Sequence, residues 1–194
     1  MVRRSDTRRK MVATAASLFQ RQGYAATGWR QVVAESDTPW GSQSHHFPGG
    51  KEELAVEALT AAGADYERLV RQAFVDRHPA DAIRLWTDLA GQVLEATDWA
   101  DGCPIATVTL ERAHEGGAIG GTCHHVFESW RRAIVEGLAA VEVDPARAQR
   151  LATLLLASIE GGLLLARAAR SRRPLDDLGH ELGDLLDTEI PRTA

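Results

Sequence analysis

The sequence predicts an all-α fold, with three helices near the N-terminus (residues 1–50) followed by a larger helical domain (residues 51–194). Three observations support this. Apolar residues recur at spacings of three and four in nearly every segment, and no segment shows the period-two alternation of a strand. Prolines stand at first-turn positions directly behind residues that cap helices. Glycines stand where helices are expected to end.

The composition indicates a folded protein of ordinary type. The 194 residues are 44% hydrophobic and 25% charged, which is too apolar for a disordered chain. Two cysteines cannot build a disulfide framework, and the start does not resemble a secretory signal, so the cytoplasm is the expected compartment. Residues 151–166 are the most apolar stretch, but Glu160 interrupts them. Because the run is also too short to span a bilayer, a buried helix is expected and no membrane partner.

Charge is distributed unevenly along the chain. Residues 1–51, called the head below, hold eight Lys and Arg against three Asp and Glu, a net charge of +5. Since the whole chain carries −5, the remainder carries −10. A basic head on an acidic body favours contact with a polyanion, because Lys and Arg supply most non-specific affinity for nucleic acid. A solvated basic surface is the alternative.

The head is predicted to contain three helices. The first runs from Ser5 to Gln22 and ends at Gly23, and the second follows Thr27 as its cap and ends around Ser36. The third occupies residues 39–46, with Thr38 as its cap and Pro39 at its first position. A tight turn between two short helices is a helix-turn-helix arrangement, whose second helix can enter a major groove of DNA.

The remaining segments are also predicted to be helical. A long helix extends from Lys51 to about Arg77, and Asp144 with Pro145 begins another that reaches about Arg170. The glycine-rich residues 115–121, "EGGAIGG", are predicted to be a flexible junction. The total is eight to ten helices without an internal repeat.

The last two helices carry a predicted dimer interface. Leucines spaced three, four and three apart in the last helix favour left-handed helix pairing, and small residues before it allow close backbone approach. The candidates are Leu154, Ala157, Ser158, Gly161, Gly162, Leu175, Leu178, Leu182 and Leu185. The alternative is that these faces bury against the chain's own core. A two-fold dimer would suit a DNA-binding protein, whose recognition helices enter successive major grooves.

The stretch "AATGWRQVVAESDTPWGSQSHHFPGGKEELAVEAL" resembles the DNA-binding domain of the TetR family of transcriptional regulators. Downstream, "DGCPIATVTLE", "VFESWRRAI" and "SIEGGLLLARAARSRRPLDDL" are similar to the ligand domain of the branch related to LmrA and YxaF. The resemblance covers about residues 5–190. It implies an N-terminal helix-turn-helix domain followed by a helical ligand-binding and dimerisation domain.

The resemblance also implies the residues that contact DNA. They are Thr27, Arg30, Gln31, Thr38, Trp40, Gly41, Ser42, Ser44, His45, His46 and Lys51. Gln31 can pair with adenine, whereas Arg30 and Lys51 suit phosphates. The sequence departs from the family pattern, which usually has glycine, lysine, leucine and tyrosine at the positions of Asp37, Trp40, Gln43 and Ser44. An unpaired buried amide at Gln43 would cost about 1–3 kcal/mol.

The implied function is a ligand-responsive regulator, a repressor that a small hydrophobic or aromatic effector releases from a palindromic double-stranded DNA operator. Its pocket candidates are Trp86, Trp99, Cys103, Thr107, His114 and Trp130, which are aromatic or polar residues on otherwise apolar helices. No cofactor is expected. The competing interpretation is a helical small-molecule-binding protein with a degenerate head that no longer binds DNA.

An enzyme or metal site is the third class considered. The candidate metal ligands are Cys103, His114, Cys123, His124 and His125. They lack the short cysteine spacing of zinc sites, and neither a zinc-protease motif nor a phosphate-binding loop is present. The sequence therefore predicts neither enzyme activity nor a bound metal.

Overall fold

The computed structural model describes residues 4–192, and this part of the chain contains nine α-helices, one 3-10 turn (Ala113–Glu115) and no strand. The α-helices are α1 (Arg4–Ala26), α2 (Trp29–Glu35), α3 (Ser42–His46), α4 (Gly50–Phe74), α5 (Pro79–Ala96), α6 (Pro104–Arg112), α7 (Gly117–Ala139), α8 (Pro145–Ala169) and α9 (Arg173–Glu189). The all-α prediction is confirmed.

The described residues form two compact units. The first contains the chain up to Asp65 together with Cys103–Phe127, and the second contains Tyr66–Gly102 and the residues from Glu128 onward. The boundary falls inside α4 and inside α7, so each of these helices continues from one unit into the other. The functional division into residues 1–50 and 51–194 stays a prediction.

The core of the first unit is built around α1, which packs against α2 and α6. The 3- and 4-residue spacing along α1 places one apolar face inward. The buried side chains of α1 and its neighbours are Met11, Ala15, Leu18, Phe19, Val32, Val33, Phe47, Leu54, Ala58, Ile105 and Val108.

A bend at Gly23 shapes the end of α1. Gly23 has a φ of +82°, a backbone conformation that residues with a side chain rarely adopt. Beyond the bend, the N–H groups of Tyr24 and Ala25 donate to the Glu111 carboxylate of α6 at 2.8 and 2.9 Å. A Cβ atom at position 23 would overlap that carboxylate. The bend therefore depends on a glycine and ties α1 to α6.

In the second unit, α9 packs against α5 and α8. Arg84 of α5 forms ion pairs with Asp184 at 2.7 Å and Asp187 at 2.9 Å, both on α9. At Gly179 an added Cβ would overlap the Thr87 side chain, so the helices approach closely there. These contacts fix α9 on α5.

Two predicted N-terminal boundaries in the head are wrong. The N-cap of α2 is Gly28 rather than Thr27, and α3 begins at Ser42 rather than at Pro39. The physical reason for the late start of α3 is Gly41, whose φ of +95° is incompatible with a right-handed helix. Trp40 therefore lies in the turn before α3, not within the helix.

The predicted flexible junction at residues 115–121 is also wrong. Gly116 and Gly117 have positive φ values and lie where the 3-10 turn ends and α7 begins. From Gly117 the chain is helical, and Ile119 is buried on the inner face of α7. Burial of this side chain offsets the weak helix propensity of the neighbouring glycines. The fourth helix, predicted to reach about Arg77, ends earlier at Phe74.

One described helix, α8, is long and apolar enough to cross a membrane by length and composition. Of its most apolar window, 44% is buried within the protein. Leu151, Leu155 and Ile159 lie on its buried face, whereas Leu164 and Leu165 are exposed. The core helix of a soluble protein meets the same criterion, so α8 is weak support for a membrane span.

Candidate nucleic-acid interface

The turn between α2 and α3 is closed by hydrogen bonds along the backbone. The N–H of Thr38 donates to the Val33 carbonyl at 3.2 Å, and the Thr38 hydroxyl pairs with that of Ser36 at 2.7 Å. The N–H of Ser42 then donates to the Pro39 carbonyl at 3.1 Å. Both helix ends are thereby held in a defined geometry, which a recognition helix requires.

Phe47 anchors the C-terminal end of α3. It is 1% exposed, and its ring centroid lies 5.9 Å from that of Trp29 on α2. The guanidinium carbon of Arg8 stands 4.5 Å from the Phe47 ring centroid, within the range of a cation–π contact. Phe47 is therefore an apolar anchor for the end of α3.

Arg8 of α1 links α3 to α4. Its guanidinium donates to the Glu53 carboxylate at 3.1 Å, to the Glu57 carboxylate at 2.5 and 2.9 Å, and to the carbonyl of His46. The hydrogen bond to Glu57 is the main reason that the pKa of Arg8 is raised. Glu53 also accepts the N–H of Gly49, and this bond, followed by the one from Arg8, lowers the pKa of the Glu53 carboxyl.

The sequence does not show whether the Gln43 side chain has a hydrogen-bond partner, and the structure provides one. Its side-chain oxygen accepts the N–H of Gly41 at 2.8 Å, and the residue is half-buried. The Ser42 hydroxyl donates to the Pro39 carbonyl at 2.5 Å, and the Ser44 hydroxyl donates to the Gly41 carbonyl at 2.9 Å. The desolvation cost of an unpaired amide therefore does not arise at Gln43.

Most of the predicted DNA contacts reach the surface of the first unit. Exposed members of the set are Arg30, Trp40, Gly41, Ser44 and His45, and half-buried members are Gln31, Thr38, Ser42 and His46. The side-chain oxygen of Gln31 accepts a hydrogen bond from the Gln22 amide at 2.7 Å, and the Gln31 amide nitrogen donates to the Glu35 carboxylate at 2.8 Å. Pairing of this amide with adenine would need those bonds to rearrange. Contact of these residues with DNA stays a prediction.

Two members of the predicted set are engaged inside the first unit. Thr27 is buried, and its hydroxyl donates to the Gly23 carbonyl at 2.7 Å, so it is a structural residue rather than an exposed phosphate ligand. Lys51 donates to the Tyr24 carbonyl at 2.5 Å and stands 4.0 Å from the Tyr24 ring centroid. Partial burial, the largest influence, lowers the pKa of Lys51. The assignment of Thr27 as an exposed DNA contact is corrected, whereas contact of Lys51 with DNA stays a prediction.

Sequence reasoning missed the roles of Arg8 and Glu111. Arg8 entered only as one of the head's charges, although its partners lie 38 to 49 residues away. Glu111 lies 87 residues beyond Tyr24, whose N–H it accepts. No local pattern signals contacts at such separations.

The predicted ligand contacts are divided between the two units. In the second unit Trp86 and Trp130 are buried, and their ring centroids lie 6.3 and 5.0 Å from that of Tyr66. Trp99, also in this unit, is half-buried with a φ of +64°. Tyr66, Trp86 and Trp130 form an apolar group, which we call the aromatic cluster.

The other three ligand candidates belong to the first unit. The Cys103 sulfur accepts the N–H of Ala106 at the start of α6, and the Thr107 hydroxyl donates to the Cys103 carbonyl at 2.9 Å. Both groups thus stabilise the first turn of α6. The His114 side chain is 75% exposed beside Glu115, which is unlike a buried ligand contact.

The candidate metal ligands do not form a site in the part of the chain from residue 4 to residue 192. No group of three His, Cys, Asp or Glu side chains is placed there to hold an ion. Cys103 and Cys123 are buried, whereas His124 and His125 are exposed with ring centroids 5.8 Å apart. Burial raises the pKa of the Cys123 thiol, which disfavours the thiolate that binds metals.

The predicted dimer residues fall into two groups. Gly162, Leu175 and Leu182 are buried within the second unit, and a Cβ at Gly162 would overlap the half-buried Leu178 side chain and approach that of Leu175 to 3.0 Å. These three are core residues, because α9 packs on α8 of the same chain, and their assignment to a dimer surface is corrected. The members that remain at the surface are Leu154, Ala157, Ser158, Gly161, Leu178 and Leu185.

Comparison with known proteins agrees with this architecture. Residues 11–58 match the model for bacterial regulatory proteins of the tetR family, and residues 79–181 match the C-terminal domain of LmrA/YxaF-like transcriptional regulators. The chain is 37% identical over 176 residues to the uncharacterized HTH-type transcriptional regulator YxaF of Bacillus subtilis, covering 90% of this chain and 92% of that protein.

Two further relatives extend along nearly the whole chain. The HTH-type transcriptional regulator LmrA of Bacillus subtilis is 32% identical over 93% of this chain and 97% of its own length. A crystal structure of a TetR transcriptional regulator from Chloroflexus aurantiacus superimposes with a TM-score of 0.80 at 29% identity, covering 98% of each chain. The protein belongs to the TetR family of transcriptional regulators, in its LmrA/YxaF-like group.

Proposed function

We propose that this protein is a ligand-responsive repressor that binds a palindromic operator as a homodimer and is released by a small hydrophobic or aromatic molecule. The observation that carries the proposal is the exposed segment formed by Trp40 and α3 on a head of net charge +5. Arg8 holds the C-terminal end of α3 through the His46 carbonyl and the Phe47 ring. A rigid, exposed helix in a basic domain suits insertion into a major groove.

The exposed face of α8 supports the dimer. Leu154, Leu164 and Leu165 are 45%, 61% and 59% exposed. Ala157 and Gly161 lie one turn apart on the same helix, where small side chains let a second helix approach. Covering this face with a second copy removes the leucines from water, and a two-fold dimer provides two recognition helices.

The aromatic cluster supports a hydrophobic or aromatic effector. Trp86 and Trp130 are buried in the second unit and Tyr66 is half-buried beside them, and aromatic walls are typical of small-molecule sites. Since α4 runs from the head into this unit, an effector that favours one position of α4 changes the separation of the two heads. Such coupling is typically worth about 1–3 kcal/mol.

The remaining parts of the proposal follow from this function. The protein acts in the cytoplasm, where its operator and effector are found, without a cofactor and without catalysing a reaction. A helical small-molecule-binding protein with a head that no longer binds DNA is the second candidate. It is favoured by Ser44, whose hydroxyl bonds Gly41 and reaches less far than the family's usual tyrosine.

Selection from random duplexes at low salt tests the proposal and separates the two candidates. The repressor should recover a two-fold symmetric motif with half-sites about 10 base pairs apart, and its affinity should fall steeply with salt. The double variant Trp40→Ala/His45→Ala removes two exposed side chains of the DNA-binding segment. It should stay folded but no longer recover the motif. Recovery of no symmetric motif by the wild type would instead support the degenerate head.

A further inference from the structure

Trp40 is an exposed aromatic residue on a rigid turn. It is 67% exposed, although folded proteins usually bury most of a tryptophan side chain. On one side the Pro39 carbonyl accepts two bonds from Ser42, and on the other the N–H of Gly41 donates to Gln43. The backbone around the indole is thus fixed before any partner binds, which lowers the entropy cost of a contact.

The polar side chains beside Trp40 are already engaged. The hydroxyls of Ser42 and Ser44 donate to backbone carbonyls of the turn, and the Gln43 oxygen accepts a backbone N–H. Reading a base edge through these groups competes with existing hydrogen bonds, whereas an apolar contact by Trp40 breaks none. In the major groove the base pairs present one apolar group, the 5-methyl of thymine.

We infer that Trp40 is a specificity-determining residue whose indole packs against the 5-methyl group of a thymine in each operator half-site. The inference rests on the proposed function, because it requires α3 in a major groove. Arg30 is exposed and suits contact with a phosphate, which positions the protein without reading sequence. The indole then distinguishes thymine from cytosine, whose major-groove edge carries no methyl group.

Replacement of thymine by deoxyuridine tests this inference, since it removes only the methyl group. Each thymine of the selected operator is replaced symmetrically in both half-sites, and the dissociation constant is measured for the wild type and for Trp40→Ala. Low salt keeps weak complexes measurable. At one symmetric position the wild type should lose about fourfold in affinity per half-site, the effect of exposing roughly one buried methyl group.

The variants make the assignment specific to Trp40. Trp40→Ala should bind the thymine and deoxyuridine operators equally at that position. Leu110→Ala is the matched control, because Leu110 is also an exposed large apolar residue of the first unit, at 77%, but lies on α6. It should keep the wild-type sensitivity to the methyl group.

Two outcomes would overturn the inference while leaving the proposed function intact. One is a wild type that binds the thymine operator and tolerates deoxyuridine at every position. The other is a Trp40→Ala variant that retains the full sensitivity, which would assign the methyl contact to another residue. A wild type that binds no specific duplex would contradict the proposed function itself, and the inference with it.

Discussion

Removal of the Arg8 side chain tests how the recognition helix is held. In Arg8→Ala the first helix loses its bonds to Glu53, Glu57 and the His46 carbonyl, together with the contact to the Phe47 ring. The links that Arg8 makes from α1 to the end of α3 and to the first turns of α4 are then lost. We expect a less stable head and weaker operator binding.

The size of the effect follows from the exposure of these groups. The side chains of Arg8 and Glu57 are 36% and 38% exposed, so their ion pair is worth about 0.2–1 kcal/mol. The bond to the His46 carbonyl adds roughly 1 kcal/mol, and the cation–π contact adds about 0.5–1 kcal/mol. Allowing for non-additivity within one network, Arg8→Ala should destabilise the head by about 2 kcal/mol.

Arg9 provides the matched control on the same helix. Its side chain is 81% exposed and forms an ion pair with Asp6 one turn away. Arg9→Ala removes the same positive charge, so the electrostatic loss of DNA affinity is similar for both variants, but it should change stability by less than about 0.5 kcal/mol. Hydrogen exchange of the α3 and α4 amides and operator titration measure the two effects. Equal behaviour of the two variants would refute the role assigned to Arg8.

Three other predictions address the glycine bend, pH and assembly. Gly23→Ala should lower the free energy of unfolding by roughly 1–3 kcal/mol, since φ is +82° there. Gly121→Ala, inside α7 and facing open space, should be neutral or slightly stabilising in the same urea titrations. The pKa of Glu53 is lowered in the folded protein, so its stabilising contribution is present above the ordinary carboxyl pKa and is lost as pH falls through the folded value. In thermal melts at a series of pH values, Glu53→Gln should therefore reduce the decrease of Tm at acid pH. Leu164→Glu should convert the dimer to monomer in sedimentation experiments, whereas Leu110→Glu, on the first unit, should not.

Sequence patterns predicted the elements whose signals are local. Asp144 caps α8 through the N–H of Arg147, with Pro145 at its first position, as the dipeptide indicates. The start of α3 was placed too early, because Pro39 follows a capping residue while Gly41 prevents a helix there. The helical start of α7 was missed, since burial of Ile119, a tertiary effect, outweighs the local glycines.

The sequence predicted which segment forms the candidate site, but it did not predict the hydrogen bonds that its side chains make. The turn between α2 and α3 follows from residue order, and Trp40, Arg30 and His45 are exposed. The misassigned Thr27 donates to the Gly23 carbonyl and Lys51 donates to the Tyr24 carbonyl, both near the bend at the end of α1. That geometry depends on a positive φ and on α6, neither of which local spacing reveals.

The proposed function requires two copies of the chain to place residues 40–46 in successive major grooves of one duplex. Dimethyl sulfate methylates guanine N7 in the major groove, so a footprint with this reagent on the selected operator reports that contact. Two protected patches related by a dyad and about 34–36 Å apart are expected, and both should disappear in the double variant Trp40→Ala/His45→Ala. A single unpaired patch, or protection that persists in the double variant, would show that residues 40–46 do not bind the duplex in this way.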